Sequence, residues 1–340
     1  MAESIEKNHP RLRAAIEAQR EVTGGWMRNA DVIGTAVTVD PAGNSALVVY
    51  VNREAAKAAD AVRSLPVQWR GVPVEVRLTD KFRALRRRRR SPTPSVTTSH
   101  RAMQSAPIQL GTSGSWGNDS TLTFCCGGTL GALVQIGGVQ YILSNYHVFE
   151  GDIALGKNNA LATTGDAIVQ PGLLDTHCDP DSVQVVGLLE TRSSLPDSNV
   201  DCSIAKVTPG MVRSDGAILE VGTISSQTVP AFLNQRVKKS GRTTGLTRSS
   251  IMGLNATIVV DYDYECGGNL AFSKTFTGQI VVSNPSSTFV NGGDSGSVLL
   301  EDVATNPRAI GLIYAGSNVD AIANPIDEVL TFLGATMVGN

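Results

Sequence analysis

Apolar and polar positions change period several times along this chain, and each change predicts an element. Residues 8–22 place Leu12, Ala15 and Ile16 on one side of a helical period, which reads as a short amphipathic helix. Residues 32–39 and 46–51 are two apolar runs separated by the turn Asp40-Pro41-Ala42-Gly43-Asn44, so they predict two strands. Residues 53–64 predict a helix stopped by Pro66, and residues 72–78 a third strand, which completes a small ββαβ unit. Beyond residue 105 the pattern is that of short strands between glycine-rich turns. Residues 139–143 form a buried-strand run, and in Val200, Cys202 and Ile204 apolar positions alternate with Asp201, Ser203 and Ala205. Residues 310–316 predict a further apolar strand.

Between the two patterns lie five adjacent arginines, Arg86 to Arg90, followed by Ser91-Pro92-Thr93-Pro94 and polar residues up to Ser105. Five cations in a row cannot share a packed face, and the Pro/Ser/Thr stretch cannot bury enough apolar area to fold. The sequence therefore predicts four pieces: an N-terminal helical segment (1–26), a small α/β domain (27–85), a solvated linker (86–105) and a β-rich domain (106–340). The α/β domain reads as a regulatory unit, a pro-segment or an assembly surface, because it holds no residues arranged for catalysis. The linker is also a candidate processing region at Arg90 and Ser91, and less readily a contact for nucleic acid or anionic lipid.

The chemistry concentrates in Gly292-Gly293-Asp294-Ser295-Gly296-Ser297. A serine hydroxyl is a weak nucleophile until a base takes its proton, so it must sit on a tight turn beside a histidine. Small neighbours let backbone N–H groups converge where a carbonyl oxygen becomes negative, which nominates Gly293 and Ser295 as an oxyanion hole. His147 follows a strand-like run and Asp201 heads another, 54 residues further on. The chain order His147, Asp201, Ser295 is that of one of the three unrelated Ser–His–Asp lineages. Asp201 is preferred over Asp152, Asp166 and Asp197 because it can be buried against the histidine. His177, in Asp175-Thr176-His177-Cys178-Asp179, could be half of a metal site, but no second Cys/His pair stands at ligand spacing, so no metal and no cofactor is expected.

Gly127-Gly128-Thr129-Leu130-Gly131-Ala132-Leu133-Val134 and Tyr141-Ile142-Leu143-Ser144-Asn145-Tyr146-His147 resemble the trypsin-like peptidases of the plant narrow-leaf type and their bacterial relatives. Gln170-Pro171-Gly172, the stretch Val237-Lys238-Lys239-Ser240-Gly241-Arg242-Thr243-Thr244-Gly245-Leu246-Thr247, and Tyr314-Ala315-Gly316-Ser317 leading to Ala323-Asn324-Pro325-Ile326 extend the resemblance over roughly residues 105–335. It implies a mainly β, double β-barrel chymotrypsin-like peptidase, with one barrel over about residues 121–207 and the other over about 217–326. It also implies His147 as base, Asp201 as its orienter and Ser295 as nucleophile in a serine endopeptidase. Residues 310–316 would then pair with an extended peptide through Tyr314, Ala315 and Gly316. The floor of the pocket would lie at Phe289 beside Val290, where no acid neutralises Lys or Arg, so an apolar or small residue is expected before the scissile bond. The resemblance further implies self-association into a homo-oligomer. The chain departs from secreted trypsins in lacking their Ile-Val-Gly-Gly activation terminus and their disulfide beside the histidine, and it leaves Asp294 without an assigned partner.

Composition narrows the rest. Aromatic residues are 5%, charged residues 18%, and 34 glycines supply turns, as a β-rich globular chain requires. A net charge of −2 and a pI near 6.1 argue against general nucleic-acid binding and leave a protein or peptide substrate as the expected partner. No segment has the roughly 18 consecutive apolar residues of a membrane span, and residues 1–25 show no signal-peptide pattern. Five cysteines without framework spacing complete the expectation of a cytoplasmic protein. The alternative is a silent or latent peptidase-fold scaffold that binds or assembles without turnover.

Overall fold

The computed structural model describes residues 5–40, 42–85, 87–90, 99–120, 124–150, 162–263 and 270–340. Helix α1 (Arg13–Trp26) follows a single 3-10 turn. Leu12, Ala15, Ala18 and Val22 recur every three or four positions and are buried, whereas Ile16 is only partly so. Strands β1 (Val32–Val39) and β2 (Ser45–Asn52) pair antiparallel, and β2 pairs in parallel with β4 (Val72–Thr79). The crossover carries α2 (Ala58–Ser64) and the two-residue β3 (Gln68–Trp69), giving the expected ββαβ order. Helix α2 begins at residue 58 rather than 53. The Asn52 carboxamide accepts the Glu54 N–H, and this local turn competes with a helical start.

Two short strands come next, β5 (Phe82–Ala84) and β6 (Arg87–Arg90). The first barrel holds β7 (Thr112–Trp116), β8 (Phe124–Leu130), β9 (Ala132–Ile136), β10 (Val139–Ser144), β11 (Ala167–Gln170), β12 (Gln184–Glu190) and β13 (Ser203–Val207). A one-turn helix, α3 (Tyr146–Phe149), follows β10. The order β9-β10-β13-β12-β11-β7-β8 closes on itself because β8 bends directly into β9 at Gly131. A Cβ at Gly131 would lie 2.1 Å from the Gly296 carbonyl oxygen, so only glycine lets the barrels approach here. This barrel begins at β7, earlier than expected: Thr-Ser-Gly-Ser-Trp is buried throughout and shows no apolar alternation to read.

The second barrel holds β14 (Arg236–Gly241), β15 (Gly245–Asp263), β16 (Leu270–Ser283), β17 (Val298–Glu301), β18 (Ala309–Gly316) and β19 (Asp320–Pro325). It closes through the β14–β15 pairing. Helix α4 (Ile326–Leu333) then returns the chain to the first barrel, where β20 (Thr336–Met337) pairs with β9. The β15–β16 hairpin is far longer than the barrel needs. Its outer part pairs with β1, so the N-terminal sheet continues directly into the second barrel.

Two expectations need correction. Residues 87–90 are not a free linker: the backbone of β6 pairs antiparallel with β8, from Arg87 opposite Gly127 to Arg90 opposite Phe124. Ser91 and residues up to 98 lie outside the described residues. Nor are the cysteines unbridged. Cys125 and Cys178 form a disulfide across 53 residues, while Cys202 is free, buried, and has its thiol pKa pushed up by burial. A bridged Cys178 offers no thiolate, which removes the metal reading of the His177 segment.

Arg77 on β4 reaches Asp320 on β19 at 2.7 Å and ties the N-terminal unit to the second barrel. Burial outweighs that ion pair and pushes the Asp320 carboxyl up to about 6. A carboxyl that holds its proton more tightly when folded adds stability below about pH 4, and that stability is lost as pH rises to about 6. The expected loss is up to about 3 kcal/mol. Urea denaturation of wild type and Asp320→Asn across pH 4 to 7 should show this fall in wild type only.

Candidate active site

The β10–β13 ladder places Ser144 opposite Ser203, so the loops that leave these strands emerge side by side. One carries His147 in the turn of α3, the other Asp201 just ahead of β13. Ser295 stands on the loop before β17 of the second barrel. His147 Nδ1 lies 2.6 Å from Asp201 Oδ2, and Nε2 lies 2.8 Å from Ser295 Oγ. With Nδ1–H donating to the carboxylate, Nε2 keeps its lone pair facing the serine hydroxyl, as a base requires. All three side chains are buried. Of the rivals, Asp166 instead receives the Trp116 indole N–H, and Asp197 is exposed.

Asp201 is held from several sides. The Tyr262 hydroxyl donates to Asp201 Oδ2 at 2.8 Å, and its ring meets the His147 imidazole edge to face at 5.9 Å. The Asp201 backbone N–H donates to Asn324 Oδ1, and the Asn145 carboxamide donates to the Asp201 carbonyl. Tyr262 arrives on the long hairpin, where it stacks on Phe272. Burial, followed by the Asp201 charge, pushes its phenol well up, so it stays a hydrogen-bond donor. Neither Tyr262 nor Asn324 carries a motif of its own, although Asn324 lies in a stretch matched by the family resemblance.

Thr129 on β8 fixes the serine loop to the first barrel. Its N–H donates to the Ser295 carbonyl at 2.8 Å and its hydroxyl to the Gly293 carbonyl at 2.9 Å. Gly293 has φ of +99°, a conformation that turns its N–H into the cleft and that side chains resist.

Asp294 has the partner that its sequence context left open. Lys239 Nζ lies 3.6 Å from Asp294 Oδ1, and both side chains are fully buried. Lys239 also donates to the Thr244 hydroxyl, which donates in turn to Asp294 Oδ2 at 2.8 Å. The N–H groups of Thr243, Thr244 and Asn291 complete the carboxylate's shell. Burial pulls the Lys239 pKa down, opposed first by the Asp294 charge.

The cleft beside Gly293 is filled by the chain itself. Strand β5 lies between β15 and β18, with Ala84 opposite Ala315 and Arg83 opposite Gly316. The Leu85 N–H donates to the Tyr314 carbonyl at 3.1 Å, and the Leu85 carbonyl accepts the Gly293 N–H. The Leu85 side chain enters the apolar cluster that contains Phe289, Val290 and Ile313. A Cβ at Gly316 would come within 3.3 Å of it, tighter than ordinary van der Waals contact. Of the residues expected to bind substrate, Tyr314, Ala315 and Gly316 pair with residues 83–85, and Phe289 and Val290 share the apolar cluster of Leu85. The expected processing residues do not: Arg90 is five positions further on, paired with Phe124, and Ser91 is not described.

Two barrels, with the histidine and aspartate loops on one and the serine loop on the other, define a chymotrypsin-like fold. A family model described as the Nal1 C-terminal domain matches residues 197–323. No curated protein matches the chain by sequence. Among solved structures, the chain is similar to a glutamic acid specific serine protease that uses a histidine triad in substrate binding. That likeness is 20% identity over 68% of this chain and 100% of the other, at a TM-score of 0.44. Thermobifida fusca Protease A gives 20% identity over 68% and 99% of the two chains at 0.44. The chymotrypsin of Cellulomonas bogoriensis gives 19% over 68% and 99% at 0.43.

Lys239→Met should leave the Asp294 carboxylate buried without a cation, at a cost of about 3 to 5 kcal/mol. Urea denaturation measures this cost, and an unchanged midpoint would refute the pairing.

Proposed function

We propose that the protein is a serine endopeptidase of the narrow-leaf type that works through a His147–Asp201–Ser295 triad. The carrying observation is the continuous relay from Asp201 Oδ2 through both nitrogens of His147 to Ser295 Oγ. In this mechanism His147 takes the Ser295 proton as the hydroxyl attacks a peptide carbonyl, and the N–H groups of Gly293 and Ser295 hold the resulting oxyanion. His147 next protonates the leaving amine, and water then repeats the sequence on the acyl-enzyme. Asp201 fixes the imidazole tautomer, and Tyr262 helps to keep its carboxylate in place.

The apolar surroundings of Leu85 support a preference for leucine-like residues before the scissile bond. An arginine there would be buried without a partner. We assign residues 27–85 as a regulatory unit and residues 106–340 as the peptidase domain. The Cys125–Cys178 bridge favours an oxidising compartment over the reducing cytoplasm expected from cysteine count. Among the described residues no helix is long and apolar enough to cross a membrane.

A fluorophosphonate probe should add once to wild type and not at all to Ser295→Ala. Turnover of leucine peptides should fall about 10⁶-fold in Ser295→Ala and about 10⁴-fold in Asp201→Asn. Efficient cleavage after arginine would remove the specificity assignment, and full activity in either variant would remove the triad.

A further inference from the structure

Strands β5 (Phe82–Ala84) and β6 (Arg87–Arg90) are paired on either side of Leu85, and their registers single out the peptide bond that follows it. On one side, Arg83 and Ala84 pair antiparallel with Gly316 and Ala315, and the Leu85 N–H is bonded to the Tyr314 carbonyl. On the other, Arg87 to Arg90 pair antiparallel with β8 from Gly127 to Phe124. Between the two pairings, the Leu85 carbonyl oxygen accepts the Gly293 N–H, the donor assigned to the oxyanion. Ser295 Oγ, hydrogen-bonded to His147, lies 3.2 Å from that same Tyr314 carbonyl.

The segment is also anchored upstream. Thr79 bonds Ser317 at 2.7 Å, Lys81 pairs with Asp261 at 3.3 Å, and Phe82 is buried edge to face with Tyr50 at 5.5 Å. The carbonyl of Leu85 is thus positioned by three independent contacts: the β18 ladder, the Gly293 N–H and the apolar cluster around its side chain. Such placement converts a bimolecular attack into an intramolecular one.

We propose that the protein cleaves itself between Leu85 and Arg86. This inference rests on the peptidase reading above. Ser295 Oγ attacks the Leu85 carbonyl carbon while His147 takes the hydroxyl proton, and the oxyanion rests on Gly293. Collapse breaks the bond to the Arg86 nitrogen, which receives the proton from His147 and leaves as an amine. Water then releases Leu85 as a carboxylate and restores Ser295. The products are residues 1–85, ending in leucine, and a chain beginning at Arg86. The cut falls five residues before the Arg90–Ser91 position that the arginine run suggests.

The test is the denatured intact mass of the purified full-length protein. Wild type should yield two fragments that meet at Leu85–Arg86, and Ser295→Ala a single chain. Leu85→Asp should slow the cut by about a hundredfold, because an apolar pocket rejects a carboxylate. Arg86→Pro, which leaves Leu85 in place, should block it. Cleavage of Ser295→Ala, or a cut in wild type at any other bond, would overturn the proposal. So would an intact wild-type chain that hydrolyses an added Phe-Arg-Ala-Leu amide; that result would leave the peptidase reading standing. An intact wild type that neither hydrolyses the peptide nor takes the fluorophosphonate would remove both.

Discussion

The hydrogen bond from Ser295 to His147 crosses the seam between two separately closed barrels, and it survives only if that seam has one register. No single loop can ensure this, because His147 and Ser295 are built on different sheets. Thr129 does so by gripping the serine loop through its N–H and its hydroxyl. Gly131, two residues later, lets the Gly296 carbonyl approach within a distance that any Cβ would forbid. From the other direction, Tyr262 leaves the second barrel to bond Asp201 on the first. The seam is therefore stitched on both sides of the imidazole, which keeps the relay within hydrogen-bonding reach.

The ion pair of Lys239 with Asp294 changes how the serine loop is kept in order. A buried carboxylate without a cation would be expensive, so the loop folds only where a positive charge is provided. Here that charge comes from a strand residue already inside the second barrel, flanked by Thr243 and Thr244. The loop needs no new chain end to complete it, which fits the lack of an Ile-Val-Gly-Gly terminus. Order in the serine loop and occupancy of the cleft are therefore separate matters, the first involving Lys239 and the second residues 83–85.

What could be read from the sequence followed from local constraints. Strands β1, β2 and β4 were legible because apolar runs bounded by turn residues have few other uses. That His147, Asp201 and Ser295 would be brought together was legible because their residue types and chain order fit a recurrent arrangement. Strand β7 was not, because a buried Thr-Ser-Gly-Ser-Trp has no apolar rhythm, and its serine hydroxyls bond residues far along the chain. Lys239, Thr243 and Thr244 stood in a recognisable stretch, yet their task depends on a loop about 50 residues away. Leu85 was hidden for a similar reason. Nothing local distinguishes it from other leucines; it is singled out by the register of β5 against β18. The arginine run drew attention to charge, whereas the backbone beneath it holds the strand pairing.

Because β4 and Phe82 anchor residues 83–85, the cleft faces them at an effective concentration that no free peptide matches easily. Short, well-matched tethers reach the millimolar range or above. An outside peptide that binds with a dissociation constant of tens of micromolar would then need to be present in large excess to enter while the tether is whole. If the chain is cut after Leu85 as proposed, the balance turns on how firmly β1 stays paired with β15 and how fast Leu85 dissociates. Access to the cleft would then be a competition between two ligands, with its own concentration dependence, instead of a fixed property of one fold.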